Sequence, residues 1–154
     1  MRLALGIFPN LEKNSVRNIL SHVVDFCKNN NIEPILPYGI AEEYACKGYA
    51  TDDFSSMQCF TAAMSLGGDG TLLRMTRHTA SLKIPVFGVN FGKLGFLTEV
   101  EFPQMEEAIL KVRDGDFWVE QRSMLQAAVF DENKHETKKK KKNREREREK
   151  ENLF

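Results

Sequence analysis

The chain has 154 residues, 42% hydrophobic and 29% charged, the proportions of a globular protein with room for one full core and not comfortably for two. Its net charge of zero hides a division: residues 138–151 hold nine Lys or Arg and four Glu, a net +5, which leaves −5 on the first 137 residues. A mildly acidic body gives no electrostatic case for nucleic acid or an anionic membrane, no apolar run reaches membrane-spanning length, and three cysteines without C-x-x-C spacing (Cys27, Cys46, Cys59) argue against disulfides or zinc and for a cytoplasmic, reducing setting.

Leu3 to Phe8 reads as a first core strand. Its apolar stretch is short, and Pro9-Asn10 ends it without the small-residue cleavage site of a signal peptide. Leu11 to Asn30 reads as a helix, because Val16, Ile19, Leu20, Val23, Val24 and Cys27 recur at helical spacing. Glu33 to Pro37 is a short extended segment, Ala41 to Lys47 a weaker helix, and Gly48 to Ser56 is ambiguous. Phe60 to Leu66 is a buried strand, followed by a glycine turn and a helix from Thr71 to Ser81. Pro85 to Val89 is a further buried strand, and Glu99 to Arg113 looks helical, stopped by Asp114-Gly115-Asp116. From Phe117 to Phe130 the pattern becomes strand-like. The expected architecture is α/β: a Rossmann-like, mostly parallel sheet flanked by helices over residues 1–116, then only the start of a β-rich second domain over 117–137. Residues 138–154 read as a charged low-complexity tail, disordered by composition.

Gly67-Gly68-Asp69-Gly70-Thr71 is the most informative stretch. Between a strand and a helix, it forms a site for phosphate. Glycines adopt positive φ cheaply and lack a Cβ, so the backbone can approach a ligand, and the unpaired N–H groups at the helix start attract an anion. A carboxylate among such amides repels phosphate, so Asp69 needs another reason to be there. One reading is a base or metal-linked group that orients a hydroxyl for attack on phosphorus; the other is a helix cap or turn residue. The double glycine before it and Thr71 after it favour the first. A second glycine loop, Gly88-Val89-Asn90-Phe91-Gly92-Lys93-Leu94-Gly95-Phe96-Leu97-Thr98-Glu99, also leaves the carboxyl end of a strand, where α/β sheets bind ligands.

The two loops in order, with Arg122-Ser123-Met124-Leu125 further on, resemble the NAD kinase family over Met1 to about Phe130. The resemblance implies transfer of phosphate from ATP (or polyphosphate) to the adenosine 2′-hydroxyl of NAD, giving NADP, with Mg²⁺ arriving on ATP rather than in a protein metal site. It implies that Asp69 is the proton acceptor and that Gly67, Gly68 and Gly70 approach pyrophosphate or donor phosphates. Thr71 caps the helix or touches a phosphate, and Arg74 faces the same ligand or is a solvated surface arginine. Asn90 hydrogen-bonds the nucleotide, and Phe96 with Leu97 contacts adenine. His22, His78 and His135 are scattered and read as surface residues. The family also implies a homo-oligomer. Diacylglycerol and sphingosine kinases share only the first loop, and they continue with residues unlike Leu73-Arg74-Met75-Thr76.

The family continues past Arg122 to Leu125 into a β-rich domain with an Asn-Glu or Asn-Asp motif that grips the ribose. This chain runs instead into Lys138 to Glu151. The chain as written is therefore expected to be a poor or inactive kinase, with a nucleotide-binding remnant or assembly partner as the alternative. Lys, Arg and Glu are all encoded by purine-only codons, so the tail reads first as a translated purine tract from an interrupted gene. It reads second as an inert extension, and last as a basic arm for nucleic acid.

Overall fold

Side-chain alternation along the first strand decides the layering. In the computed structural model, which describes residues 3–50, 57, 59–92 and 95–125, strand β1 (Leu3–Pro9) commits Leu3, Leu5 and Ile7 to one face of a sheet and Ala4 and Phe8 to the other. Both faces are covered, so the alternation is of apolar with apolar, as in a parallel sheet between helical layers. Helix α1 (Asn14–Asn29) lays Val16, Leu20, Val23, Val24 and Cys27 on the first face, joined there by Met105 and Ile109 of α4 (Met105–Asp114). Helix α3 (Asp69–Thr79) covers the second face with Leu72 and Met75, against Ile35, Tyr49, Met57, Phe60 and Ala63. His22 Nε2 lies 2.6 Å from Glu106 Oε1 and ties α1 to α4 at the surface.

The remaining strands are β2 (Ile32–Pro37), β3 (Lys47–Tyr49), β4 (Ala62–Gly67), β5 (Val86–Asn90) and β6 (Val100–Glu101), with a single helical turn α2 (Tyr38–Ala41) between β2 and β3. All neighbours pair in parallel, in the order β3-β2-β1-β4-β5-β6. The chain thus winds outward from β1 to β3, returns to the middle, and winds the other way from β4 to β6. The reversal falls between β1 and β4, and loops leaving the carboxyl ends of these two strands flank a crevice. The α/β expectation, with a Rossmann-like parallel sheet, holds.

Three local expectations fail. Residues Ala41 to Lys47 are not a helix: the helical turn ends at Ala41, Ala45 takes a left-handed conformation at φ 47°, and Lys47–Tyr49 pairs with β2. Gly48 permits this pairing, since a Cβ there would strike the ring of Tyr38. The helix expected from Glu99 starts later, because Val100 and Glu101 pair with Val89 and Asn90, and Pro103 opens a 3₁₀ turn before Met105. Residues 117–125 form no strand. The chain divides into two units, Met1–Phe117 and Trp118–Phe154, and residues 117–125 lie in no described strand. Residues 126–137, the charged tail with His135, and most of the ambiguous segment 51–56 lie outside the described residues.

Ser65 is an exception within the sheet. It is fully buried on β4, yet its hydroxyl makes no hydrogen bond among the described residues. Burying an unsatisfied hydroxyl costs about 1–3 kcal/mol. Ser65→Ala is therefore expected to stabilise the chain by about 1 kcal/mol, read as a higher urea midpoint at unchanged slope; a lower midpoint would mean that the hydroxyl has a partner.

Candidate functional site

Three loops meet at the carboxyl ends of the central strands. After β1, Asn10 donates its N–H to the carbonyl of Leu66 at 2.9 Å, and after β5, Phe91 donates to the carbonyl of Gly67 at 3.1 Å. The first glycine loop is thus held from both sides at Leu66 and Gly67. Helix α3 starts directly behind it, with Gly68 as N-cap and with Thr71 and Leu72 donating to the Gly68 carbonyl at 2.9 and 3.1 Å. No side chain caps this helix.

Asp69, the first residue of α3, does not cap its own helix. Its carboxylate turns away from its own helix and across to the second loop. Oδ2 accepts from the Phe96 N–H at 2.8 Å; Oδ1 accepts from the N–H groups of Leu97 (3.3 Å) and Thr98 (3.1 Å) and from the Thr98 hydroxyl (3.0 Å). One side chain therefore ties the start of α3 to a loop 27–29 residues away. The Phe96 amide lowers the carboxyl most; desolvation opposes it as the next-largest effect, and the Thr98 amide and hydroxyl and the Leu97 amide together keep it below the ordinary Asp value. With the folded-state value below the unfolded one, the clamp adds stability above the ordinary value of 3.8 and loses it as pH falls through the folded value.

The glycines work by lacking a Cβ rather than by positive φ. Among the described glycines only Gly115, the αL cap of α4, has positive φ, and Gly68 is extended at φ −156°. A Cβ at Gly67 would collide with the side chain of Thr71, and a Cβ at Gly95 would overlap the carboxylate of Asp69. At Gly70 a Cβ would meet nothing within 4 Å, so the start of α3 borders open space on that side.

The other residues singled out in the sequence divide. Thr71 is 8% exposed and packs over Gly67, inside the first turn of α3 and not at its cap position. Arg74 is exposed one turn after Gly70 and, with burial and Arg77, depresses the pKa of His78; burial comes first. His78 is half-buried, not a surface histidine. Asn90 is 6% exposed at the end of β5, and its Oδ1 accepts from the Gly92 N–H at 3.1 Å. Phe96 and Leu97 part company: the Phe96 ring is fully exposed while its amide is pinned to Asp69, and Leu97 packs against the α3 side of the core. Lys93 and Leu94 lie outside the described residues.

Sequence reasoning passed over three residues. Lys13, on the loop after β1, places its Nζ 3.8 Å from where a Gly68 Cβ would sit, with Asn90 Oδ1 3.9 Å from the same point. Its signal was position after the first strand, which acquires meaning only once β1 and β4 are known to be neighbours. Gly95 was visible as a loop glycine, but its steric reason lies in Asp69. Thr98 carried no signal beyond its place in the second loop. Among the described residues no group of three His, Cys, Asp or Glu side chains gathers around a metal position.

The sequence profile of the ATP-NAD kinase N-terminal domain matches residues 6–117. The NAD kinase of Moorella thermoacetica is 34% identical over 127 residues, covering 81% of this chain and 40% of that protein. The NAD kinase of Desulforamulus reducens is 36% identical over 127 residues, covering 81% of this chain and 43% of that protein. The crystal structure of yeast NADH kinase complexed with NADH superposes with a TM-score of 0.57 at 17% identity, over 73% of this chain and 38% of that one. That likeness is one of fold. The chain spans less than half the length of the curated relatives it matches.

Proposed function

The chain belongs to the NAD kinase family, and from that premise we propose that it carries the phosphate-binding and proton-accepting half of an enzyme that converts NAD and ATP to NADP and ADP. The observation that supports this most directly is Asp69, a carboxylate fixed by four donors beside the glycine loop at the sheet's switch point. In the proposed reaction the adenosine 2′-hydroxyl oxygen of NAD bonds to the γ-phosphorus of ATP. The bond from that phosphorus to the β–γ bridging oxygen breaks, ADP leaves, and the hydroxyl proton passes to Asp69 and on to solvent. A loose phosphoryl-transfer transition state asks little of a base beyond orienting the hydroxyl. A carboxylate held below its usual pKa meets that requirement, being ionised at neutral pH and geometrically fixed.

The amides of Gly67, Gly68 and Gly70 and the start of α3 supply N–H groups for phosphate. Arg74 adds charge one turn away, Asn90 a side-chain amide, and the exposed ring of Phe96, with Leu97 behind it, a face for the adenine. Mg²⁺ is proposed to arrive on the phosphates of ATP. Residues 117–137 are read as the entry to the β-rich part of the family's architecture. No described helix is long and apolar enough to cross a membrane.

The test is a fusion. Residues 1–125 joined to the portion of the Moorella NAD kinase that this chain does not match should form NADP from NAD and ATP at about 1 per second or more, an ordinary enzymatic rate. A folded fusion that binds NAD and makes no NADP would leave the chain as a nucleotide-binding remnant. In the same fusion Lys13→Ala is expected to weaken ATP about tenfold, the worth of one charge-assisted hydrogen bond, measured as KM for ATP with kcat retained. Unchanged KM would place Lys13 outside the phosphate site.

A further inference from the structure

Thr98 is 2% exposed, and each end of its side chain has a defined neighbour. Its methyl packs on β5, where a Cβ on Gly88 would come within 2.7 Å of Thr98 Cγ2. Its hydroxyl and its amide both donate to Oδ1 of Asp69. A β-branched side chain seated this way has one rotamer available, so the methyl contact with Gly88 turns the hydroxyl toward Asp69.

The donors are unevenly shared. Oδ1 takes three, from Leu97 N–H, Thr98 N–H and Thr98 Oγ1, and Oδ2 takes one, from Phe96 N–H. Each carboxylate oxygen offers about two lone pairs. Oδ1 is saturated and Oδ2 keeps one site open. We infer that Thr98 is a positioning residue for Asp69: its hydroxyl and amide fill Oδ1 and leave the open lone pair of Oδ2 as the acceptor for the substrate hydroxyl. Only the last clause rests on the phosphoryl-transfer reading; the orientation of the carboxylate stands apart from it.

Among the described residues the charged or titratable groups on the elements that meet at Asp69 are Glu12 and Lys13 after β1, Arg74, Arg77 and His78 on α3, and Glu99 at the end of the second loop; the lowering at Asp69 comes from hydrogen bonds of the loop. The full chain, ¹³C- and ¹⁵N-labelled, allows the Asp69 carboxyl to be titrated by NMR. In the wild type the midpoint should lie below the ordinary Asp value, and the amide protons of Phe96 and Thr98 should titrate with it. Thr98→Val keeps the shape and removes the donor, so the midpoint should rise toward the ordinary range. Thr98→Ser keeps the donor but loses the methyl that orients it, so its midpoint should fall between those of the wild type and Thr98→Val. A wild-type midpoint in Thr98→Val, or one in Thr98→Ser as high as that of Thr98→Val, would overturn the inference. So would wild-type loop amides that do not sense Asp69, an outcome that depends on no variant folding. In the fusion with the remaining portion of the Moorella NAD kinase, NAD in millimolar excess should shift the Asp69 carboxyl signal. A signal blind to NAD in a fusion that forms NADP would overturn the substrate-facing role of Oδ2 while the orientation by Thr98 would stand; a fusion that forms no NADP would overturn the functional reading instead.

Discussion

Asp69→Asn is expected to lower NADP formation by the fusion about 10²- to 10⁴-fold, the usual worth of a positioned general base. The structure adds a second loss to the first. An Asn side chain has one oxygen where Asp has two. If that oxygen keeps the donors from Leu97 and Thr98, the amide NH₂ faces the Phe96 N–H, donor against donor. The loop should therefore loosen at Phe96, and amide exchange at 96–98 should quicken in the variant while the rest of the sheet keeps its protection. Rate and exchange together separate the two roles. A large rate loss with unchanged exchange assigns Asp69 to proton transfer alone; quickened exchange with a wild-type rate assigns it to structure alone.

Gly95→Ala is expected to cost about 10²-fold in the same assay, the scale of a misplacement of roughly 1 Å at a catalytic group. The added methyl would overlap Asp69 Cγ and both carboxylate oxygens. A flexible side chain can yield to such a clash, but this carboxylate is held by four donors, so either the loop or the start of α3 must move. Gly95 itself belongs to neither core cluster, so thermal unfolding should shift by only a few degrees. Gly70→Ala is a control for folding alone, because its methyl meets nothing within 4 Å in the folded chain and thermal unfolding should hardly change. A Gly95→Ala enzyme with wild-type kcat would show that the carboxylate and the second loop need not touch for turnover.

Comparison of individual elements shows how the information is divided. The spacing of Val16, Leu20, Val23, Val24 and Cys27 was enough to place α1 and its buried face, because helical periodicity is a local property that one amphipathic element carries alone. The apolar run ending at Leu66, then two glycines, was likewise enough to place β4, the turn and α3. Where an element depended on a partner, local reading failed. Lys47–Tyr49 resembles the end of a helix until β2 is there to pair with it, and Val100–Glu101 resembles a helix start until β5 is. Residues 117–125 have strand-like composition, but a strand is stable only in a ladder.

The same division holds at the site. By itself the sequence determined that a glycine loop follows a buried strand, that Asp69 sits in it, and that a second glycine loop accompanies it. The fold alone decided that the two loops touch, because parallel pairing of β4 with β5 sets their carboxyl ends side by side. It also decided that Asp69 bonds to residues 96–98 instead of capping its own helix, that Gly95 makes room for the carboxylate, and that Lys13 approaches Gly68. These facts depend on distances between residues far apart in the chain. Periodicity and propensity act over a few residues, whereas a hydrogen bond between positions 69 and 98 exists only once the strand order has brought their loops within 3 Å of each other.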